Sequence, residues 1–204
     1  MNYKFSKKQR FYIPFKRFID ILLSLILILF LSPFMFVIAI IVIIDTKAFP
    51  IFRQRRIGKN KKEFMIFKFR SMNKSTPKNV PTRLLINSNE YISKFGKFIR
   101  RFSIDELPQL FNIFIGQMSF IGPRPALWNE EKLINGRDEV GVYKIKPGLS
   151  GLAQINGRDI LSDDEKIIFD LDYLNKMSFS LDLSIFFKSI GKAIVGDDIV
   201  EGKQ

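Results

Sequence analysis

Two adjacent carboxylates, Asp105 and Glu106, stand in "RRFSIDELPQLFNIF", just after Arg100 and Arg101. The chain has no His and no Cys. Disulfides, thiolate metal sites, cysteine nucleophiles, the usual near-neutral base and the commonest zinc ligand are therefore excluded. Any chemistry must run on Asp, Glu, Lys, Ser, Thr or Tyr, and a metal would be a hard cation bound through oxygen. An aspartate beside positive charge stays ionised. It can then attack phosphorus to give an acyl phosphate. Bringing that anion to a pyrophosphate needs the repulsion neutralised, by arginines and typically Mg²⁺. Four arginines could serve: Arg70 in "KFRSM", Arg100, Arg124 in "GPRP" and Arg158 in "NGRD". Taken singly, each also reads as an ordinary surface residue.

The acidic pair has a structural reading as well. Ser103 and Glu106 have the spacing of a capping box, in which the serine caps a helix and the glutamate reaches back to its N–H. That leaves Asp105 without a required job. A helix N-terminus with Arg100 one turn upstream is also suited to phosphate.

The elements that must position the pair follow from the apolar pattern. At 204 residues and a formal charge of +13, with 33 Lys and Arg, the chain is one domain whose surface suits an anionic partner. The run "ILLSLILILFLSPFMFVIAIIVII", residues 21–44, carries no charge. As a straight helix it would reach about 36 Å, enough for a bilayer core. Ser32-Pro33 at its midpoint predicts a kink, leaving two arms of about 18 Å each. The Ser32 hydroxyl could relieve the carbonyl that proline cannot serve. Both flanks are basic, which favours the cytoplasmic side for both ends. A re-entrant hairpin and a bent single crossing both fit. This divides the chain into a membrane segment, 1–46, and a catalytic segment, 47–204.

Beyond the membrane segment, β-prone runs near 51–56 and 63–69 flank the turn 58–62 and predict a hairpin. The stretch 73–90 reads as a loop. "YISKFGKFIRRF" spaces Ile92, Phe95, Ile99 and Phe102 as a basic amphipathic helix, of the kind found in bilayer interfaces or packed on cores. A short apolar helix ends near Gly116, residues 126–140 read as helix, and Lys146 to Arg158 as a glycine-rich loop. "DLSIFFKSIGKAIVG" spaces Leu183, Phe186, Ile190 and Ile194 as a further amphipathic helix.

Seven motifs then occur in one order: "SPFMFVIAI", "RQRRIG", "KFRSM", "DELPQL", "MSFIGPRP", "KPGLSGLAQINGR" and "DLDYLNKMSFSLDL". From about Lys16 to Ile194 the chain resembles the bacterial sugar transferases, monotopic polyprenol-phosphate phosphoglycosyl transferases, in their minimal form. The resemblance implies a mainly helical α+β fold: a re-entrant membrane helix broken at Ser32-Pro33, interfacial amphipathic helices and a small β-hairpin around a cytoplasmic-face active site on the bacterial inner membrane. It implies transfer of a sugar-1-phosphate from a UDP-sugar to a polyprenol phosphate such as undecaprenyl phosphate, in surface polysaccharide assembly. Asp105 would be the nucleophile and the Mg²⁺ ligand, and Glu106 its proton acceptor or metal partner. Arg70, Arg100 and Arg124 would contact phosphate or nucleotide, as would Arg158. Three positions depart from the family pattern: Phe102, Gln117 and the stretch "TKAFPIF". "PALWNEEKLINGRDEVG" resembles members handling N-acetylated hexoses. No nucleic-acid module is present, and neither the sugar nor the oligomeric state is legible. The rival reading is a membrane-anchored basic binding module without catalysis.

Overall fold

The computed structural model describes residues 3–73, 76, 91–157 and 160–195, with side chains to 192. Its longest element is α1, Lys7–Thr46, a 40-residue helix. Ser6 caps it: its Oγ accepts from the Gln9 N–H while the Gln9 side chain accepts from the Ser6 N–H. The helix was expected to break at Ser32-Pro33, yet it runs through Pro33 as one element. The Leu29 carbonyl, which Pro33 has no N–H to serve, accepts instead from Ser32 Oγ at 3.0 Å.

One face of α1 lies along the rest of the protein from end to end. Gln9 Nε2 donates to the Leu174 carbonyl at 2.7 Å, and Tyr12 donates to Asp182 at 2.6 Å. Arg17 donates to the carbonyls of Ile113 and Phe114. Asp20 accepts from the Ser119 hydroxyl and the Phe120 N–H, both at 3.1 Å. Farther along, Met35, Ile38 and Val42 pack into a cluster with Phe69 and Ile99. The opposite face leaves Leu22, Ile26, Leu29, Phe30, Phe36 and Ile44 exposed. The two segments divided at residue 46 therefore share core.

The hairpin forms where the sequence placed it. Strands β1, Ile51–Ile57, and β2, Glu63–Phe69, pair antiparallel with Ile51 opposite Phe69 and Ile57 opposite Glu63. Asn60 and Lys61 take left-handed conformations in the turn. Helix α2, Lys94–Arg101, is capped by Ser93, whose Oγ accepts from the Gly96 N–H at 2.8 Å. Ile99 is fully buried, whereas Phe98 and Phe102 remain exposed. A side-chain carbon at Gly96 would lie 2.2 Å from the Ser71 carbonyl oxygen, so α2 sits directly on that backbone.

Helix α3, Gln109–Phe114, precedes β3, Ser119–Ile121. Residues 126–140 were expected to be helical throughout, but only α4, Glu131–Glu139, is. Leu127 instead bridges to Arg56. The expected loop 146–158 contains β4, Gly148–Ser150, parallel to β3, and a short helix α5, Leu152–Ile155. Its glycines let two backbones meet: a side-chain carbon on Gly148 would lie 2.1 Å from the Gly122 nitrogen. Glycine composition signals a loop in the sequence, yet here it permits close strand pairing.

Helix α6, Asp163–Lys176, carries a Ser162–Glu165 capping box. Helix α7, Phe179–Val195, sends Ile185 into the core and leaves Leu183, Phe187 and Ile190 exposed. Tyr173, Leu174, Ile113, Met118 and Ile185 form the centre of the larger core. Most of the expected loop 73–90 lies outside the described residues.

Candidate active site

Asp105 and Glu106 occupy a single 3-10 turn, Ile104–Glu106, between α2 and α3. The expected capping box is absent. Ser103 takes a left-handed conformation, φ 54°, and its side chain caps nothing. Leu107 and Pro108, both in right-handed helical conformation, link the turn to α3, where the proline stands just before Gln109 and its missing N–H costs no helical bond. The pair is thus held by a tight connection rather than by the first turn of a long helix. Both residues are buried, at 7% and 8% exposure.

Glu106 is engaged by two cations. Its Oε1 accepts from Lys68 Nζ at 2.8 Å and from Arg124 Nη2 at 3.1 Å. Lys68 comes from β2, which packs against the turn. Burial lowers the affinity of Lys68 for its proton, an effect opposed by the charges of Glu106 and Asp105.

Arg124 is fixed through its backbone. Its carbonyl accepts from Arg137 Nη1 at 2.8 Å. Arg137 in turn pairs with Asp170 through Nε at 2.8 Å and Nη2 at 2.6 Å, with both partners almost wholly buried. On the other side of the loop, Arg56 donates to the Pro125 carbonyl at 2.9 Å, and the Gly148 N–H donates to Pro123 at 2.9 Å. The "GPRP" segment is therefore clamped from β1, β4 and α4.

A cavity of about 230 Å³ opens beside Glu106 and Arg124. Leu107, Phe120, Ile155 and Phe186 give it mainly apolar walls. Exposed apolar side chains flank the turn in sequence, Phe98 and Phe102 before it and Phe111, Phe114 and Ile115 after it.

Of the residues singled out from the sequence, Asp105, Glu106 and Arg124 come together. Arg70 follows β2 and donates from Nε to the Phe49 carbonyl at 3.0 Å. Arg100 lies in the last turn of α2, one turn before Ser103, and its Nε is buried without a hydrogen-bond partner. Arg158 lies outside the described residues. Sequence reasoning missed Lys68, although "KFRSM" contains it. Strand alternation from Phe69, an apolar core position, would have set Lys68 on the opposite face, toward the turn. Among the described residues no group of three or more Asp and Glu gathers to cage a metal. Two adjacent carboxylates fit Mg²⁺ in its usual mode, one or two protein oxygens with the remaining ligands from substrate phosphate and water.

The family model for bacterial sugar transferases matches residues 11–196. The UDP-glucose:undecaprenyl-phosphate glucose-1-phosphate transferase of Klebsiella pneumoniae is 41% identical over 191 residues, covering 89% of this chain and 40% of its own length. The UDP-N-acetylgalactosamine-undecaprenyl-phosphate N-acetylgalactosaminephosphotransferase of Aeromonas hydrophila is 35% identical, over 89% of this chain and 44% of its own. The exopolysaccharide production protein ExoY of Rhizobium meliloti is 34% identical, over 86% and 83%. The chain thus spans about two fifths of the first two relatives and most of the third. With its motifs in order and a match over nearly its whole length, the chain belongs to the bacterial sugar transferase family.

Proposed function

We propose that this protein transfers a sugar-1-phosphate from a UDP-sugar to a polyprenol phosphate such as undecaprenyl phosphate, early in the assembly of a surface polysaccharide. The observation that carries it is the buried Asp105-Glu106 pair, in which Glu106 is bound by Lys68 and Arg124 and lines an apolar-walled cavity. A carboxylate oxygen of Asp105 attacks the sugar-bearing phosphorus. The bond from that phosphorus to the bridging oxygen breaks, and UMP leaves with the electron pair. An oxygen of the lipid phosphate then attacks the same phosphorus, and Asp105 departs as a carboxylate. Lys68 and Arg124 supply fixed positive charge where the diphosphate must approach two acidic side chains. Glu106 keeps both cations in place and accepts a proton or assists the metal. Mg²⁺ bound at Asp105 would neutralise diphosphate charge.

The acceptor is a lipid, so the pair must sit at headgroup depth. Helix α1 is long and apolar enough to cross a membrane. Its contacts with the body run from Gln9 to Val42, which leaves little of it free to stand away from the domain. That favours a monotopic protein at the cytoplasmic face of the inner membrane, with the unbroken α1 seated along the body and its exposed apolar face turned to one leaflet.

Asp105→Asn should abolish UMP release from a UDP-sugar, and mass spectrometry of the wild type should trap a phosphosugar adduct on Asp105. Kinetics requiring a ternary complex, with no adduct, would instead favour direct attack by the lipid phosphate. A non-catalytic binding module would release no UMP at all.

A further inference from the structure

The walls of the cavity beside Glu106 leave little for a polar ligand to bind. Leu107, Phe120, Leu149, Ile155, Phe186 and Ile190 form much of the lining. Two hydroxyls also line it, but Ser189 donates to the Ile185 carbonyl at 2.7 Å and is itself bonded to Ser150. Sugar hydroxyls or diphosphate oxygens brought against such walls would give up hydrogen bonds to water without replacing them. A hydrocarbon chain gives up none, and it removes apolar surface from water. Charge at the cavity is confined to a few side chains: Arg101 at the end of α2, Arg124, Lys192 near the end of α7, and Glu106. Lys68 and Arg124 already balance the Glu106 carboxylate. Such a setting suits an anionic head on an apolar tail.

The cavity is also continuous with the exposed face of α1. Ile190 lines the cavity and is still 42% exposed. Back along α7, Phe187, Leu183 and Phe179 are exposed as well, at the three- and four-residue spacing that sets them on one face. From Ile190 to Phe179 this strip is about 16 Å long. Phe179 then meets Phe15 of α1, with ring centroids 6.0 Å apart. Phe15 shares an exposed face of α1 with Phe11, Phe18 and Leu22. One run of exposed apolar side chains therefore joins α1 to the cavity.

We infer that this strip and the cavity form the track of the acceptor's prenyl chain. The first isoprene units lodge in the cavity against Phe186 and Ile190, and the rest of the chain follows Phe187 and Leu183 toward α1 and the bilayer. The phosphate then lies among the cations beside Glu106, next to the residue that receives the phosphosugar. This rests on the proposed transfer reaction, which makes the acceptor a polyprenol phosphate.

The test compares wild type with Ile190→Ser and Phe187→Ser, as full chains in phosphatidylcholine nanodiscs. UMP release is followed at varied mole fractions of undecaprenyl phosphate, with UDP-glucose or UDP-N-acetylgalactosamine as donor. The KM for the lipid should rise roughly tenfold in each variant, with the KM for the UDP-sugar unchanged. An unchanged lipid KM, or an equal rise in both KM values, would overturn the track. Both side chains are exposed, so neither change opens the core. A second measurement needs no turnover: a diazirine-bearing polyprenyl phosphate should crosslink to α7 of the wild type more than the matching uncharged prenol does. Equal labelling by the two probes would mean contact with bulk lipid and would also overturn the track. Wild-type protein that shows the selective crosslink but releases no UMP would sink the transfer reaction and leave the lipid track in place.

Discussion

Lys68 Nζ lies 2.8 Å from Glu106 Oε1, which also accepts from Arg124 at 3.1 Å, so one carboxylate oxygen anchors two cations at the candidate active site. Burial lowers the Lys68 pKa below that of a free lysine. Between that lowered value and about 10.4, the unfolded chain binds more protons at this residue than the folded one. Its contribution to stability therefore rises with pH across the window, while the charge facing Glu106 is lost. Activity should fall on the alkaline side without any matching loss of stability. Lys68→Arg, which stays protonated, should move the alkaline limb of the rate profile to higher pH.

Glu106→Gln keeps the shape of the side chain and one accepting oxygen but removes the charge that balances Lys68 and Arg124. Turnover should fall roughly 100-fold or more. UMP release and thermal unfolding on the same sample check it: a large rate loss with a modest shift in melting separates a chemical role from a structural one.

The Arg137–Asp170 pair stands behind the carbonyl of Arg124. Asp170→Ala leaves a buried guanidinium without its counter-charge, a loss of about 3–5 kcal/mol. A variant retaining wild-type denaturation midpoint would refute this. Because the pair reaches the site only through the Arg124 backbone, the surviving folded fraction should also show weaker binding of UDP-sugar.

Two glycines separate close contact from open space. Gly96→Ala would push a carbon to 2.2 Å from the Ser71 carbonyl oxygen, whereas at Gly191 nothing lies within 4 Å of the added carbon. The first should destabilise the protein by roughly 1–3 kcal/mol. The second, on an exposed helix, should stabilise it by about 0.5–1 kcal/mol. Chemical denaturation of the two variants should give opposite signs.

The chain contains no cysteine, so labelling is unambiguous. Cysteines introduced as Lys8→Cys and Asn60→Cys flank the apolar segment. Membrane-impermeant reagent should reach both from the cytoplasmic side of inverted vesicles. Labelling of the two from opposite sides would establish a crossing helix instead.

Periodicity made the hairpin legible: the strands at 51–57 and 63–69 and the turn between them stand where apolar and turn residues placed them. The apolar run 21–44 was equally plain, but Pro33 read as a kink. Ser32 was read as able to relieve the carbonyl that the proline leaves, and its bond to Leu29 does so; that this sufficed to carry the helix through depends on the packing of α1 along the body, which local sequence does not carry. At the site, residue type exposed Asp105 and Glu106 together with Arg124. Ser103 misled, because a left-handed φ that removes a cap leaves no mark on a sequence with capping-box spacing. The β3–β4 pair was hidden for a related reason: three-residue strands with close-packed glycines lack the alternating pattern that identifies longer ones. Lys68 was in view but unassigned, since its partner lies 38 residues away along the chain.

The lengthwise seat of α1 has a practical corollary. Met35, Ile38 and Val42 supply the cover for Phe69 and Ile99, so a fragment starting at Lys47 would carry a raw greasy trench. Such a truncation should clump rather than yield a soluble enzyme. The long apolar helix is a beam of the building, and not a tether from which the rest can be cut loose.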